Sequence, residues 1–260
     1  MVESSFTFIY AISVNNGAID RIPTTNIPAI NENTLANQDF WWLIGYLQGD
    51  GSVDLRNGIW FHSTDRELID AAKSLVTSLF RLSSSIYLEK PKLHRKPRLR
   101  LAVYSRTLVR WLFKQKLNFG TQRWTVPKLS KNLFCPYIAG LFDAEGQVVL
   151  APSGRLSKLV LHSANGSSLR IIEHRLGEFG VECLLRTRNR ERKPSVHYQL
   201  EIRKSQNLIC FIGPIARHSR LTRKKQYLTE DLISKKVAEA CRYNSPRFSM
   251  RPPTKANLKN

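Results

Sequence analysis

Leu43-Ile44-Gly45-Tyr46-Leu47-Gln48-Gly49-Asp50-Gly51 and Ile138-Ala139-Gly140-Leu141-Phe142-Asp143-Ala144-Glu145-Gly146 are two versions of one pattern. Each is an apolar stretch with glycine in third place and an acid-glycine pair at its end. The correspondence continues downstream. Phe61-His62-Ser63 parallels Leu161-His162-Ser163, with a longer turn around Ser153-Gly154 absorbing the change in spacing. Ser105 and Leu108 match Ser205 and Leu208, and Trp111-Leu112 matches Phe211-Ile212. An ordered series with one insertion identifies an internal duplication.

Each copy reads as α-β-β-α-β-β-α. Helices are expected over residues 39–48 and 133–144, and hairpins follow at 52–56 with 59–63 and at 147–151 with 157–163. Asn57-Gly58 supplies the hairpin turn of the first copy. Helices at 65–80 and 167–179 come next, the first opened by a Thr64-x-x-Glu67 capping box. Strand pairs at 85–90 with 98–104 and at 182–190 with 196–203 precede closing helices at 107–117 and 206–212. The second copy adds a helix near 230–242. The expected division is an N-terminal arm over 1–38, extended from Gly17 to Asn37, then a first repeat and linker over 39–130. A second repeat with its C-terminal helix follows over 131–245, and a basic tail over 246–260.

The chain carries 41 Lys and Arg against 20 Asp and Glu, a formal charge of +21 over 260 residues, so a polyanionic partner is expected. Its 42% hydrophobic content is enough for a buried core and excludes wholesale disorder. Cys135, Cys183, Cys210 and Cys241 lie far apart, without zinc-finger spacing or a disulfide framework. No apolar run reaches the roughly 18–20 residues of a membrane span, and no basic amphipathic helix with exposed aromatics marks a membrane-surface protein. Glu3 occupies the place where a secretory signal carries basic residues. The sequence therefore reads as intracellular.

Alternation along the strands gives each sheet one apolar face and one face rich in Arg, Lys, His and Gln. Candidate nucleic-acid contacts are Ser52, Asp54, Arg56, His62, Tyr87, Arg98 and Arg100 in the first copy. In the second they are Gln147, Lys158, His162, Arg186, Arg188, Arg190, His197, Gln199 and Arg203. A positive sheet face repeated twice suits a duplex, with strands in the major groove. His62 and His162 recur at matching strand ends and read as groove contacts or polar neighbours of the next helix rather than as general bases.

Gly45 and Gly140 point to close approach of two helix backbones. Asp50 and Glu145 then end their helices beside Gly51 and Gly146, which suit the left-handed turn that stops a helix. A carboxylate there opposes the negative end of the macrodipole, at about 0.3–1 kcal/mol. Parallel pairing would add like-charge repulsion. Divalent cations relieve both, and hard oxygen ligands favour Mg²⁺. Two carboxylates under a positive saddle make the constellation for metal-assisted phosphodiester hydrolysis.

These motifs resemble those of the LAGLIDADG homing endonucleases in their single-chain, two-repeat form, over roughly residues 39–233. The second motif is a close match; the first departs at Gln48, where the family often has an acid. The terminal acid, which the family uses catalytically, is present in both. The resemblance implies an α+β fold of two pseudo-twofold αββαββα repeats, each with a four-stranded antiparallel saddle-shaped sheet, and the motif helices at the repeat interface. It implies a monomer that cuts a long asymmetric DNA target, leaving short 3′ overhangs. Asp50 and Glu145 would sit over the minor groove, one near each scissile phosphate, with the carbonyls of Gly49 and Ala144 helping to hold metal. Mg²⁺ is the expected ion, with Mn²⁺ as a substitute and Ca²⁺ binding without supporting cleavage. Basic or polar residues near the metals are expected among Gln122, Arg123, Lys224 and Lys225. The alternative function is an RNA-binding intron maturase on the same fold, with its own intron RNA as partner. Retention of both acids favours the nuclease. The compartment is an organelle or a bacterial or archaeal cytoplasm.

Overall fold

The computed structural model describes residues 10–15, 18–23, 30, 32–56, 58–89, 97–152, 154, 156–188 and 196–228. The chain begins with β1 (Tyr10–Asn15), β2 (Ala18–Pro23) and α1 (Glu32–Ala36). The first repeat follows as α2 (Gln38–Asp50), β3 (Gly51–Asp54), β4 (Gly58–Ser63), α3 (Arg66–Phe80), β5 (Ser85–Glu89), β6 (Arg98–Val103) and α4 (Arg106–Lys114). The second is α5 (Lys131–Glu145), β7 (Gly146–Leu150), β8 (Leu156–Ser163), α6 (Gly166–Gly177), β9 (Leu184–Arg188), β10 (His197–Ile202) and α7 (Ser205–His218), closed by the single turn α8 (Thr222–Lys225). The expected order therefore occurs twice. The two four-stranded sheets are antiparallel and run β3-β4-β6-β5 and β7-β8-β10-β9.

Three local expectations need correction. Within the segment read as an extended arm, β2 pairs antiparallel with β1, from Tyr10 opposite Pro23 to Asn15 opposite Ala18, and α1 follows. The Asn16-Gly17 pair between those strands is the same hairpin signal as Asn57-Gly58. The Thr64-x-x-Glu67 box does not form. Asp65 is the N-cap of α3 without a side-chain cap bond, and the Glu67 carboxylate instead accepts from the Thr222 amide at 2.7 Å. Finally, α7 continues past Ile212 and through Pro214 to His218, because Leu208, Phe211, Ile212 and Ile215 keep burying one helical stripe. The helix expected near 230–242, and the tail over 246–260, lie outside the described residues.

The apolar face of each sheet meets its own helices. Ile59, Phe61, Leu101 and Val103 are buried under α3, where Leu68, Ile69, Ala72 and Val76 form the stripe. Leu159, Leu161, Leu200 and Ile202 meet Leu169, Ile172 and Leu176 of α6 in the same way.

α2 and α5 join the halves. They lie parallel: Gln38 reaches the Asn132 carbonyl at one end and Gly49 abuts Ala144 at the other. A Cβ on Gly45 would overlap the Tyr137 carbonyl oxygen and come within 2.9 Å of the Leu141 amide nitrogen. A Cβ on Gly140 would overlap the Trp42 carbonyl and come within 3.0 Å of the Tyr46 nitrogen. Each glycine thus lies against the other helix's main chain, and only hydrogen fits there.

The closing segments cross over. After α4 the buried Trp124 presents its carbonyl to Asn165 Nδ2 and Ser168 Oγ, both at 2.7 Å, in the first turn of α6. After α7 the chain returns the contact: besides the Thr222–Glu67 bond, Arg223 pairs with Asp65 at 2.8 Å. Each half therefore completes the first turn of the other half's middle helix.

Candidate nucleic-acid cleavage site

The helix pair fixes where the two acids go. α2 ends at Asp50 and α5 at Glu145, and at Gly51 and Gly146 both helices run straight into the extended backbone of β3 and β7 rather than through the expected left-handed turn. A Cβ on Gly49 would lie 3.3 Å from Glu145 Cγ, so the acid-bearing ends touch. Burial pushes the Asp50 carboxyl up to about 6, against the opposing charges of Lys224 and Arg98. Burial, with the nearby charge of Asp50, pushes Glu145 up to about 7. This is the crowding that the helix ends and glycine spacing predict.

Directly behind the acids lies a second, buried tier. Asp143, 1% exposed, accepts from Trp42 Nε1 at 3.0 Å, Ser219 Oγ at 2.6 Å and the Arg220 amide at 2.7 Å. Gln48 occupies the matching place in α2. Its Nε2 donates to the carbonyls of Asn118 at 2.8 Å and Thr125 at 3.1 Å, while Tyr137 Oη donates to its Oε1 at 2.7 Å. Each residue ties its own repeat's closing segment and an aromatic of the other interface helix to one point. The Gln48 departure is thereby explained: its neighbours include two carbonyls that need donors, which an amide supplies and a carboxylate cannot.

Of the four basic or polar candidates, the structure buries one beside the acids. Lys224 is 4% exposed, and its Nζ donates to the carbonyls of Phe142 at 2.6 Å and Asp143 at 2.8 Å, at the end of α5. Burial lowers it to about 8, against the pull of Asp143 and Asp50. Gln122, Arg123 and Lys225 are exposed. The site is therefore asymmetric in its buried cation, which the Arg223-Lys224-Lys225 run alone could not show.

The candidate contact residues do share the outer sheet faces. In the first sheet, Ser52, Trp60, Ala102 and Ser85 form one row, followed by His62, Arg100 and Tyr87, then Arg98 and Glu89. In the second, the rows are Gln147, Val160, Glu201 and Leu184, then His162, Gln199 and Arg186, then His197 and Arg188. The histidines are anchored alike: His62 Nε2 lies 3.4 Å from Ser52 Oγ, and His162 Nε2 lies 3.0 Å from Gln147 Oε1. Asp54 accepts from the Arg56 amide within the turn at 2.8 Å. Arg190 lies outside the described residues.

Strand alternation puts Glu201 among these cations, but sequence reasoning gave neither it nor Glu89 a role. Glu89 pairs with Arg98 and Arg100, and Glu201 with Lys158, Arg186 and Arg203. The alternation with Leu200 and Ile202 gives the face of Glu201, and only the register and contacts give its partners.

A family profile described as "LAGLIDADG-like domain" matches residues 37–116 and 135–216, more than half of the chain. The chain belongs to the LAGLIDADG-like family. The two matched segments are the two structural repeats. The DNA-bound homing endonuclease I-WcaI is similar in fold at a TM-score of 0.56 and 16% identity, over 74% of this chain and 86% of that one. Full-length DUF199/WhiA from Thermatoga maritima gives 0.53 and 16%, over 84% and 67%. I-DmoI in complex with DNA and Ca gives 0.50 and 19%, over 74% and 96%. At these identities the likeness is one of fold. An A-type ATP synthase subunit of Methanopyrus kandleri is 28% identical over 153 residues, 58% of this chain but only 14% of that protein's length.

The LAGLIDADG-like site fits a divalent cation. Its donors are two carboxylates and helix-end carbonyls, all hard oxygens, and burial holds both acids above their ordinary range despite the nearby charge of Lys224. Because the folded state favours their protonated forms, their contribution to stability is whole below the ordinary values of 3.8 and 4.5. It is lost as pH rises through about 6 for Asp50 and about 7 for Glu145. Ion binding requires the charged forms. Mg²⁺ is thus expected to raise Tm more at about pH 8 than at about pH 5.5. The Asp50→Asn/Glu145→Gln double variant should melt higher without metal at about pH 8 and gain nothing from the ion. Equal gains for wild type at both pH values would place the ion elsewhere.

Proposed function

We propose that the chain is a site-specific DNA endonuclease that makes a double-strand break in a long asymmetric target by divalent-metal-dependent hydrolysis, leaving short 3′ overhangs, in the service of intron homing. The observation that carries this reading is the contact between the acid-bearing ends of α2 and α5, with a basic sheet face continuing from each. Bound by Asp50 and Glu145, with the carbonyls of Gly49 and Ala144, a divalent cation would supply an activated water and neutralise phosphodiester charge.

The chain's own residues do the rest. Asp50 and Glu145 place one carboxylate at the end of each interface helix, so a duplex laid along both sheets meets an acid for each strand. Lys224 sets a fixed positive charge beside Asp50, where negative charge develops on a phosphate. The outer rows, with Arg100, Gln199, Arg186 and Arg188, orient the duplex. A maturase that only binds RNA has no use for two crowded carboxylates, which favours cleavage over that alternative.

The test is selection of cleaved sites from a randomised duplex library with and without Mg²⁺. One long site recovered only with the ion is the expected result. Binding without cleavage at any divalent ion would refute the proposal.

A further inference from the structure

Glu201 is 3% exposed although it stands on the outer face of β10, away from the core. Basic side chains cover it. Lys158 Nζ donates to its Oε1 at 2.6 Å, Arg203 Nε to its Oε2 at 2.7 Å, and Arg186 Nε lies 3.5 Å from Oε2. Burial alone would raise its pKa, yet the hydrogen bonds from Lys158 and Arg203 hold it below the usual carboxylate range. Three cations expected on DNA therefore share one buried anion.

The fold does not require that anion. The corresponding register position of the first repeat is Ala102, paired with Trp60 as Glu201 is paired with Val160, and that sheet closes with no charge in the row. A buried ion cluster is in any case weak support for stability compared with an apolar packing of the same space. Glu201 also shares its row with Gln147, two residues beyond Glu145, so the cluster borders the candidate cleavage site. In the first repeat the acid Glu89 sits instead in the outermost row, beside Arg98. The halves manage their charge differently.

We propose that Glu201 is a specificity-determining positioning residue of the second repeat: it fixes Lys158, Arg186 and Arg203 in place and cancels part of their charge, limiting sequence-independent attraction to phosphates. This rests on the endonuclease reading above. Phosphate contacts carry affinity without sequence information, whereas oriented side chains in a groove carry discrimination. A face whose cations are held by an anion gives up the first in favour of the second.

The test compares wild type and Glu201→Gln in the full chain by anisotropy on the selected site duplex and on a random-sequence duplex. Freeing one positive charge should steepen the salt slope by about 0.9, so the variant loses about threefold more affinity than wild type between roughly 50 and 200 mM salt. It should bind the random duplex several-fold more tightly at low salt, with a smaller ratio of site to random affinity. A folded variant with unchanged slope and ratio overturns the proposal. Where Glu201→Gln does not fold, the Lys158→Met/Glu201→Gln variant has the wild-type net charge. Its slope should return to the wild-type value while the ratio stays low, and a wild-type ratio overturns the positioning role. Wild-type protein that binds neither duplex refutes the endonuclease reading and this proposal together, whereas wild-type site binding with an unaltered variant refutes this proposal alone.

Discussion

Asp50→Asn or Glu145→Gln is expected to remove double-strand cleavage while leaving target binding intact or tighter. Each substitution keeps side-chain size and replaces a hard, charged oxygen donor with a neutral amide. Metal-assisted charge stabilisation is worth several kcal/mol, and each 1.36 kcal/mol is tenfold in rate, so a loss of roughly a thousandfold or more follows. Binding moves the other way because both carboxylates face a polyanion, and neutralising one removes a repulsion. Burial has already pushed both above their usual range, to about 6 and about 7, so neither variant breaks an ion pair that the fold needs. Single-turnover cleavage and equilibrium binding on the selected site measure the two effects separately. Cutting at the wild-type rate by either variant would take the chemistry away from this pair.

The second large effect concerns the helix interface. Gly140→Ala adds one methyl group where the Trp42 carbonyl already stands, and a main chain cannot turn aside as a side chain can. Helix propensity favours Ala over Gly by about 1 kcal/mol. Overpacking against an immovable neighbour costs typically 1–3 kcal/mol and here forces the two interface helices apart. Overlap with a main-chain oxygen puts the cost at the upper end, about 3 kcal/mol, so a net loss of about 2 kcal/mol is expected, read as a lower urea midpoint. Gly177→Ala is the control of opposite sign. Gly177 lies in the last turn of α6 with nothing near the place of its missing Cβ, so the same change should stabilise by up to about 1 kcal/mol. Destabilisation by Gly177→Ala, or none by Gly140→Ala, would contradict this account of the interface.

Repeat, element order and paired acids were legible in the sequence because they rest on periodicity and on glycine-acid punctuation, which are local. Gly45 and Gly140 could be assigned to a close approach for the same reason. Partner choice across the fold was not legible. The Glu67 capping motif is correct in form, yet Thr222 takes its carboxylate from more than a hundred residues away. Lys224 could not be told from Lys225, since one buried and one exposed lysine look alike in a basic run. The outer faces read as simply positive because Glu89 and Glu201 were outnumbered, and only the sheet register shows which cations they hold. Gln48 looked like a defect in the first motif, whereas its amide feeds two carbonyls that no acid could satisfy.

The crossing of the closing segments has an evolutionary corollary. One seam joins a tryptophan carbonyl to an asparagine and a serine, and the other joins an arginine and a main-chain amide to two acids. Two copies of either half would bring together stitches that do not match. The duplication has thus become irreversible: neither half is any longer an ancestor-like protomer, and the two can only be inherited, lost or transplanted as one piece.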